Sequence, residues 1–191
     1  FYSLAVGRYT FASGSTSMAM GYDASAKGNY AVAMGRKVIA DGTSTAIGHH
    51  AVATNGGLAI GSQDNDASKD KTTASASGAV AIGKNTQSTL KGAVALGSDS
   101  TTATNATKQE SVTINGITYN FAGATSDTGM QVSVGAAGKE RQIKNVAAGE
   151  VSATSTDAIN GSQLFAVASQ IKPVNYFSVK STAAGNKNND G

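Results

Sequence analysis

Small and large apolar side chains alternate in short bursts along the first hundred residues, and every burst ends on a glycine. The bursts read Ser3-Leu4-Ala5-Val6-Gly7, Ser17-Met18-Ala19-Met20-Gly21, Ala31-Val32-Ala33-Met34-Gly35, Ser44-Thr45-Ala46-Ile47-Gly48, Gly57-Leu58-Ala59-Ile60-Gly61, Ala79-Val80-Ala81-Ile82-Gly83 and Ala93-Val94-Ala95-Leu96-Gly97. A period of two predicts a strand for each. The glycines lie 14, 14, 13, 13, 22 and 14 residues apart. A fixed spacing with one longer interval predicts a solenoid with one bulging insertion.

The two faces of each predicted strand differ in kind. Alanine sits two residues before every glycine, and serine, alanine or glycine sits four before it. The opposite face carries Leu4, Val6, Met18, Met20, Val32, Met34, Ile47, Leu58, Ile60, Val80, Ile82, Val94 and Leu96, with Thr45 its one polar member. After each glycine a second alternation follows. Its small positions are Thr10/Ala12, Ala24/Ala26, Val38/Ala40, Ala51/Ala53, Thr86/Ser88 and Ser100/Thr102; between them stand mixed residues such as Tyr9, Phe11, Lys37, Ile39, His50 and Val52.

A 14-residue coil holds two short strands of about five residues and two turns. Packing the two small faces together gives a thin, flat roll and leaves the large apolar face outside. A patch of that size marks an association surface, and closed symmetry is the usual way to cover it. Each large side chain contributes roughly 1.5–3 kcal/mol on full burial, against about 1–2 kcal/mol of backbone entropy per ordered residue. A lone roll filled only with alanine is therefore expected to be unstable, and the large residues are expected to form the core of a homo-oligomer. The reverse arrangement, large residues inside, leaves an exposed face of seven alanines unexplained.

Beyond residue 102 the character changes. Ser111-Val112-Thr113-Ile114 and Ile117-Thr118-Tyr119-Asn120-Phe121 flank Asn115-Gly116, a hairpin signal because both turn residues take positive φ. Met130 to Val134 reads as a further strand. A helix is expected over 157–172, capped by Ser155, Thr156 or Asp157. Leu164, Val167 and Ile171 recur at spacings of three and four, as in a coiled-coil seam. Pro173 stops this helix, and 175–180 resembles a strand opening another module. The long interval between Gly61 and Gly83 places an exposed polar loop at 62–73.

Two stretches carry a family resemblance. The run from Gln142-Ile143-Lys144-Asn145-Val146-Ala147-Ala148-Gly149-Glu150 to Asp157-Ala158-Ile159-Asn160-Gly161-Ser162-Gln163-Leu164-Phe165 resembles the neck of trimeric autotransporter adhesins. The glycine ladder resembles the head repeats of the Yersinia-adhesin type, Ser-Val-Ala-Ile-Gly, which residues 79–83 match with Ala79 in place of serine. Residues 103–141 depart from a minimal neck and resemble the inserted-hairpin variety. The resemblance implies a mainly β, obligately homotrimeric chain. A left-handed parallel β-roll head (1–102) would lead into a neck with an inserted hairpin (103–156). A short helix in a trimeric coiled coil (157–172) and the start of a β module (173–191) would follow. It also implies attachment to the outer membrane of a Gram-negative cell through a C-terminal anchor absent here, and exposure at the cell surface. Heads of this type bind collagen, fibronectin, laminin or abiotic surfaces.

Composition narrows the chemistry. Charged residues are 14% and the net charge is +3, the lysines are scattered and no basic stripe with interleaved aromatics appears, so nucleic acid is not an expected partner. The absence of cysteine excludes disulfides and thiol catalysis. No apolar run reaches the length of a membrane span. The chain opens inside a repeat and runs out through the glycine-containing 183–191, the expectation for a piece of a longer protein. The only histidines, His49 and His50, are adjacent; on a strand they would point to opposite faces and not share one ion. Asp64, Asn65 and Asp66 lack calcium-loop spacing. Asp23, Asp99, Glu110 and Asp157 fall on different elements, and no acid–base pair is placed for catalysis. Left-handed β-helical acyltransferases need coils of about 18 residues, longer than this period. No enzyme activity, cofactor or metal is expected. The expected function is adhesion through multivalent trimeric contacts, with outward positions Tyr9, Phe11, Tyr22, Lys37, Ile39, His50 and Val52 and the 62–73 loop as the candidate surface. The alternative is a spacer that only sets the reach of the fibre.

Overall fold

The computed structural model describes residues 2–63 and 71–171. The chain divides into two compact units, Phe1–Ile143 and Lys144–Gly191.

The first unit is a parallel β-solenoid. Its strands are β1 (Leu4–Val6), β2 (Phe11–Ala12), β3 (Met18–Met20), β4 (Ser25–Ala26), β5 (Val32–Met34), β6 (Ile39–Ala40), β7 (Thr45–Ile47) and β8 (Val52–Ala53). They continue as β9 (Leu58–Ile60), β10 (Thr73–Ala74), β11 (Val80–Ile82), β12 (Gln87–Ser88) and β13 (Val94–Leu96). Next come a hairpin, β14 (Ser111–Ile114) and β15 (Ile117–Asn120), and finally β16 (Val132–Ser133). The odd strands β1 to β13 stack in order, with β16 added at the end, into one parallel sheet; β2 to β12 form the second. The strands are three and two residues long, shorter than the five expected. Tight corners take up the remainder of each coil. The corner glycines Gly7, Gly21, Gly35, Gly48 and Gly83 lie at φ between +124 and +135, and the residue two further on is left-handed.

The interior is filled as the small face predicts. Ala19, Ala33, Ala46, Ala59, Ala81 and Ala95 from one sheet meet Ala24, Ala26, Val38, Ala40, Ala51, Ala53, Ala74, Thr86, Ser88, Ser100 and Thr102 from the other, all fully buried or nearly so. Val38 is the bulkiest fully buried side chain. Hydroxyls are bonded in place: half-buried Thr10 and buried Thr72 and Thr86 each donate through Oγ1 to the next corner glycine's carbonyl at 2.7 Å. A layer of alanines removes little apolar area per residue, so this core is thin.

Around the insertion, Thr73 pairs with Val52 and Thr72 is fully buried. The coil has resumed by Thr72, and Gln63 is also buried, so the expected loop over 62–73 is narrower at both ends. Its middle, 64–70, lies outside the described residues.

The hairpin forms as expected, with Asn115 at φ 50 and Gly116 at φ 79. Val112 faces Tyr119 and Ile114 faces Ile117. The strand foreseen after it is short and joins the roll: β16 pairs in parallel with β13, Val94 opposite Val132. The hairpin is thus an excursion inside the last coil, closed at its base by the Ala106 amide donating to Thr128 O at 2.8 Å.

The second unit carries α1 (Gly161–Ala168), half the expected length. Asn160 caps it, not Ser155, Thr156 or Asp157. The Asn160 side chain accepts from the Ser162 and Gln163 amides while Gln163 Oε1 accepts from the Asn160 amide, a reciprocal box that satisfies free donors at the helix start. Asp157 is engaged elsewhere, accepting the Glu150 amide at 3.0 Å. Gln163 also binds Gly149 through both its amide and carbonyl, and Asn160 Nδ2 donates to Val146 O. These bonds tie residues 146–150 to the helix start. Ser169 ends the helix. The expected stop at Pro173 and the module at 173–191 lie outside the described residues, as does Lys172.

Candidate interaction surfaces

The outward residues of the odd strands form two columns on the outside of the roll, apolar throughout except at Thr45. One runs Leu4, Met18, Val32, Thr45, Leu58, Val80, Val94; the other runs Val6, Met20, Met34, Ile47, Ile60, Ile82, Leu96. Parallel in-register pairing places each side chain directly beside its equivalent. Those at the ends stay open, Leu4 at 48% and Leu96 at 45%, and those between are half covered by their neighbours except Ile60, which is 37% exposed. Val132, paired with Val94, lengthens the first column and is exposed too. In the second unit Leu164, Val167 and Ile171 are all exposed; the first two lie on a two-turn helix that cannot stand alone in water, and Ile171 lies beyond its end.

The seven residues expected on the outer face fall into two groups. Phe11, Ile39 and Val52 lie in one column of the second sheet, the register running Phe11, Ser25, Ile39, Val52, Thr73, Gln87. Tyr9, Tyr22, Lys37 and His50 lie instead at the corner that follows each glycine. Tyr9, Lys37 and His50 are its left-handed residues, at φ 60, 51 and 59.

His50 corrects the expectation. It is 7% exposed. Its ring lies against that of His49, centroids 4.5 Å apart and edge on. The two histidine rings therefore touch, because they stand in a turn and not on a strand. Among the described residues no set of three His, Cys, Asp or Glu side chains gathers as a metal site.

The corner also holds Arg8 and Arg36, which the linear reading passed over. Arg8, Tyr22, Arg36 and His49 each follow a corner glycine and stack along the roll. The Arg8 guanidinium lies 4.6 Å from the centre of the Tyr9 ring. Tyr9 meets Tyr22 edge to face at 5.7 Å, and Arg36 lies 5.8 Å from Tyr22. Arg36 Nη1 is 2.8 Å from His49 Nε2. The available signal was the position one after each glycine, read down the repeats instead of along the chain.

At the end of the roll a cleft of about 380 Å³ is lined by Thr101, Thr104, Gln131, Ser133, Glu140 and Arg141 among others. Its charged groups serve the backbone. Glu140 accepts the Gly138 amide at 2.9 Å, and amide bonds from its own residue and from Gly138 hold its carboxyl below the usual range. Arg141 donates to Ser98 O, Ser100 Oγ and Val134 O. Nearby, Lys139 donates to Asp99 at 3.1 Å and lowers that carboxyl's pKa.

Comparison with known proteins agrees with this architecture. Residues 142–190 match the coiled stalk of trimeric autotransporter adhesin, and residues 12–37 and 74–100 match the YadA head domain repeat. The chain is 46% identical over 114 residues to autotransporter adhesin BtaE of Brucella suis biovar 1 (strain 1330), a match covering 59% of this chain and 14% of BtaE. The chain thus spans about one seventh of that relative. Among solved structures, the collagen-binding domain of Yersinia adhesin YadA aligns at 25% identity with a TM-score of 0.61, covering 88% of this chain and 75% of that one. The C-terminal YadA-like domain of BPSL2063 from Burkholderia pseudomallei aligns at 51% identity with a TM-score of 0.44, covering 48% and 42%.

Proposed function

We propose that this chain, a stretch of a trimeric autotransporter adhesin with YadA-type head repeats and the beginning of a stalk, works as an adhesive head at the bacterial cell surface. Three copies join along the columns from Leu4 and Val6 to Val94 and Leu96, and continue through Leu164, Val167 and Ile171. The observation that supports this most is the inverted roll: alanine inside, large aliphatic side chains outside. A thin core cannot offset the entropy of ordering the coils, whereas a shared seam buries the large residues.

Attachment then works by number. Each copy offers the same outer column, Phe11, Ile39 and Val52, together with the corner residues Tyr9, Tyr22 and Lys37. Weak contacts from three copies on one rod act at high effective concentration. The ligands are matrix proteins, with collagen foremost because the YadA domain of similar fold is a collagen-binding domain, then fibronectin, laminin or abiotic surfaces. A part of the whole protein beyond these residues anchors it in the outer membrane; among the described residues no helix is long and apolar enough to cross a membrane. Adhesion of this kind requires no bond-making, and the reading is non-enzymatic.

The test is retention of the trimer, held by a C-terminal coiled-coil clamp, on collagen, fibronectin, laminin and polystyrene. Retention on at least one, lost on replacing Phe11 and Ile39 by serine, is expected. No retention on any of them would leave the segment as a spacer.

A further inference from the structure

We infer that the apolar face of the β14–β15 hairpin docks on a neighbouring copy of this chain, against the end of that copy's outer columns at Leu96, Met130 and Val132. The inference rests on the trimeric reading above. The hairpin has two faces of opposite kind. Residues directly opposite one another across an antiparallel pair share a face, and so do alternate residues along each strand. Val112 opposite Tyr119 and Ile114 opposite Ile117 therefore lie on one face. Phe121, two residues beyond Tyr119, continues it, its amide donating to Glu110 O at 2.7 Å. The other face holds Ser111, Thr113, Thr118 and Asn120, with the Thr113 and Thr118 hydroxyls 3.0 Å apart. Glu110 stands at the base of the apolar face and is paired with Lys108 at 2.6 Å.

The roll of the same chain does not cover this face. Among the described residues neither β14 nor β15 packs against any other strand, and the five apolar side chains stay between 36% and 57% exposed. A two-stranded hairpin is marginal by itself in water. A cluster of apolar side chains left open on it marks an association surface.

The place of the hairpin selects the occupant. Its base is fixed to the last coil, where the Ala106 amide donates to Thr128 O at 2.8 Å and Gln131 Nε2 donates to Thr104 O at 2.7 Å. That coil ends in β16, the last strand of the sheet that bears the outer columns. Met130 alternates with Val132 and so shares its outward face. Leu96, Met130 and Val132 are all exposed at this end. The chain thus carries two different apolar patches within its last coils, the hairpin face and the column end. A cyclic trimer closes through heterologous contacts, in which a patch on one copy meets a different patch on the next. These two supply such a pair, and both are apolar, as lasting contacts between copies are. Each copy then gives its hairpin to one neighbour and receives one from the other.

The chain has no cysteine and no tryptophan, so single probes read out one position. Tyr119→Cys/Val132→Cys in the clamped trimer, treated with a short bis-maleimide, should give covalent dimers and trimers on a denaturing gel. Neither single variant should do so. Tyr119→Trp should show blue-shifted emission in the trimer and several-fold weaker acrylamide quenching than in the unfolded chain. Should the double variant fail to assemble, Tyr119→Trp still decides. A product confined to one chain would put the face on its own roll and overturn the docking. Dimers from Tyr119→Cys alone would put hairpin against hairpin and overturn it too. So would no cross-linked product from an assembled double variant, or a tryptophan quenched as freely as in the unfolded chain. Sedimentation of the unmutated segment without the clamp separates this from the reading beneath it: an intact trimer with an open hairpin loses only the docking, whereas a monomer loses the shared seam as well.

Discussion

Arg141 closes the roll by lying against Gly97. In the coils above, the space beside each corner glycine is filled by the backbone of the next: a β-carbon on Gly83 would sit 2.6 Å from the Gly97 carbonyl carbon, and the earlier glycines are crowded in the same way. At Gly97 the nearest atoms are not those of Gly135, the next glycine in register. A β-carbon there would meet the Arg141 guanidinium carbon at 3.2 Å, while that guanidinium binds Ser98 O, Ser100 Oγ and Val134 O. One side chain thus satisfies the carbonyls that a further coil would have covered. Arg141→Ala should cost about 2 kcal/mol, and Arg141→Lys nearly as much, because an ammonium cannot span three acceptors in one plane. Thermal unfolding of the clamped trimer checks both.

Gly35 is crowded from the side. It lies at φ +135, and a β-carbon would come within 2.8 Å of the Gly48 carbonyl carbon. Backbone cannot swing aside as a side chain can. Gly35→Ala should destabilise by more than about 4 kcal/mol, seen as failure to give soluble trimer. Gly116, at φ +79 with open space around it, is the control: Gly116→Ala should cost only about 1–2 kcal/mol.

Ile82 stands in the second outer column between Ile60 and Leu96. Ile82→Asp puts a charge in the shared seam, where desolvation is not repaid, and should abolish the trimer in sedimentation. Thr45→Val, which fills the one polar rung, should tighten assembly by about 1 kcal/mol. An intact Ile82→Asp trimer would show that the seam lies elsewhere.

Asn160 and Gln163 bind one another's backbone amides. Asn160→Ala removes the cap and the bond to Val146 O, and should cost about 1–2 kcal/mol. Helix content by circular dichroism should fall while the β signal of the first unit stays.

Asp99 is paired with Lys139, which lowers its pKa in the folded state. A depressed carboxylate contributes stability above its unfolded pKa and loses it as pH falls through the folded one. Parent and Asp99→Asn should therefore differ in melting temperature at neutral pH and converge below about pH 4. The pair is exposed, so the difference should shrink in high salt.

The alternation Leu4-Ala5-Val6 and its six repeats determine by themselves that the chain is a parallel roll and which face turns outward. A two-residue period admits only two faces, and alanine in every coil leaves only one that can be thin. Asn115-Gly116 likewise fixes its hairpin, since two adjacent positive φ angles allow little else. His50 and Asp157 show where that reading ends. A strand pattern places His50 outside, but the folded corner buries it while Tyr9, at the same left-handed φ, stays exposed, a difference that no linear signal carries. Asp157 is an acceptable cap by type, but it is spent on Glu150, and Asn160 takes the helix. The corner column was illegible along the chain because its members are 13 or 14 residues apart. Only winding the coils brings Arg8, Tyr22 and Arg36 onto one edge, one rung after another, and only folding could decide that Arg141 would return from forty residues away to close the last coil.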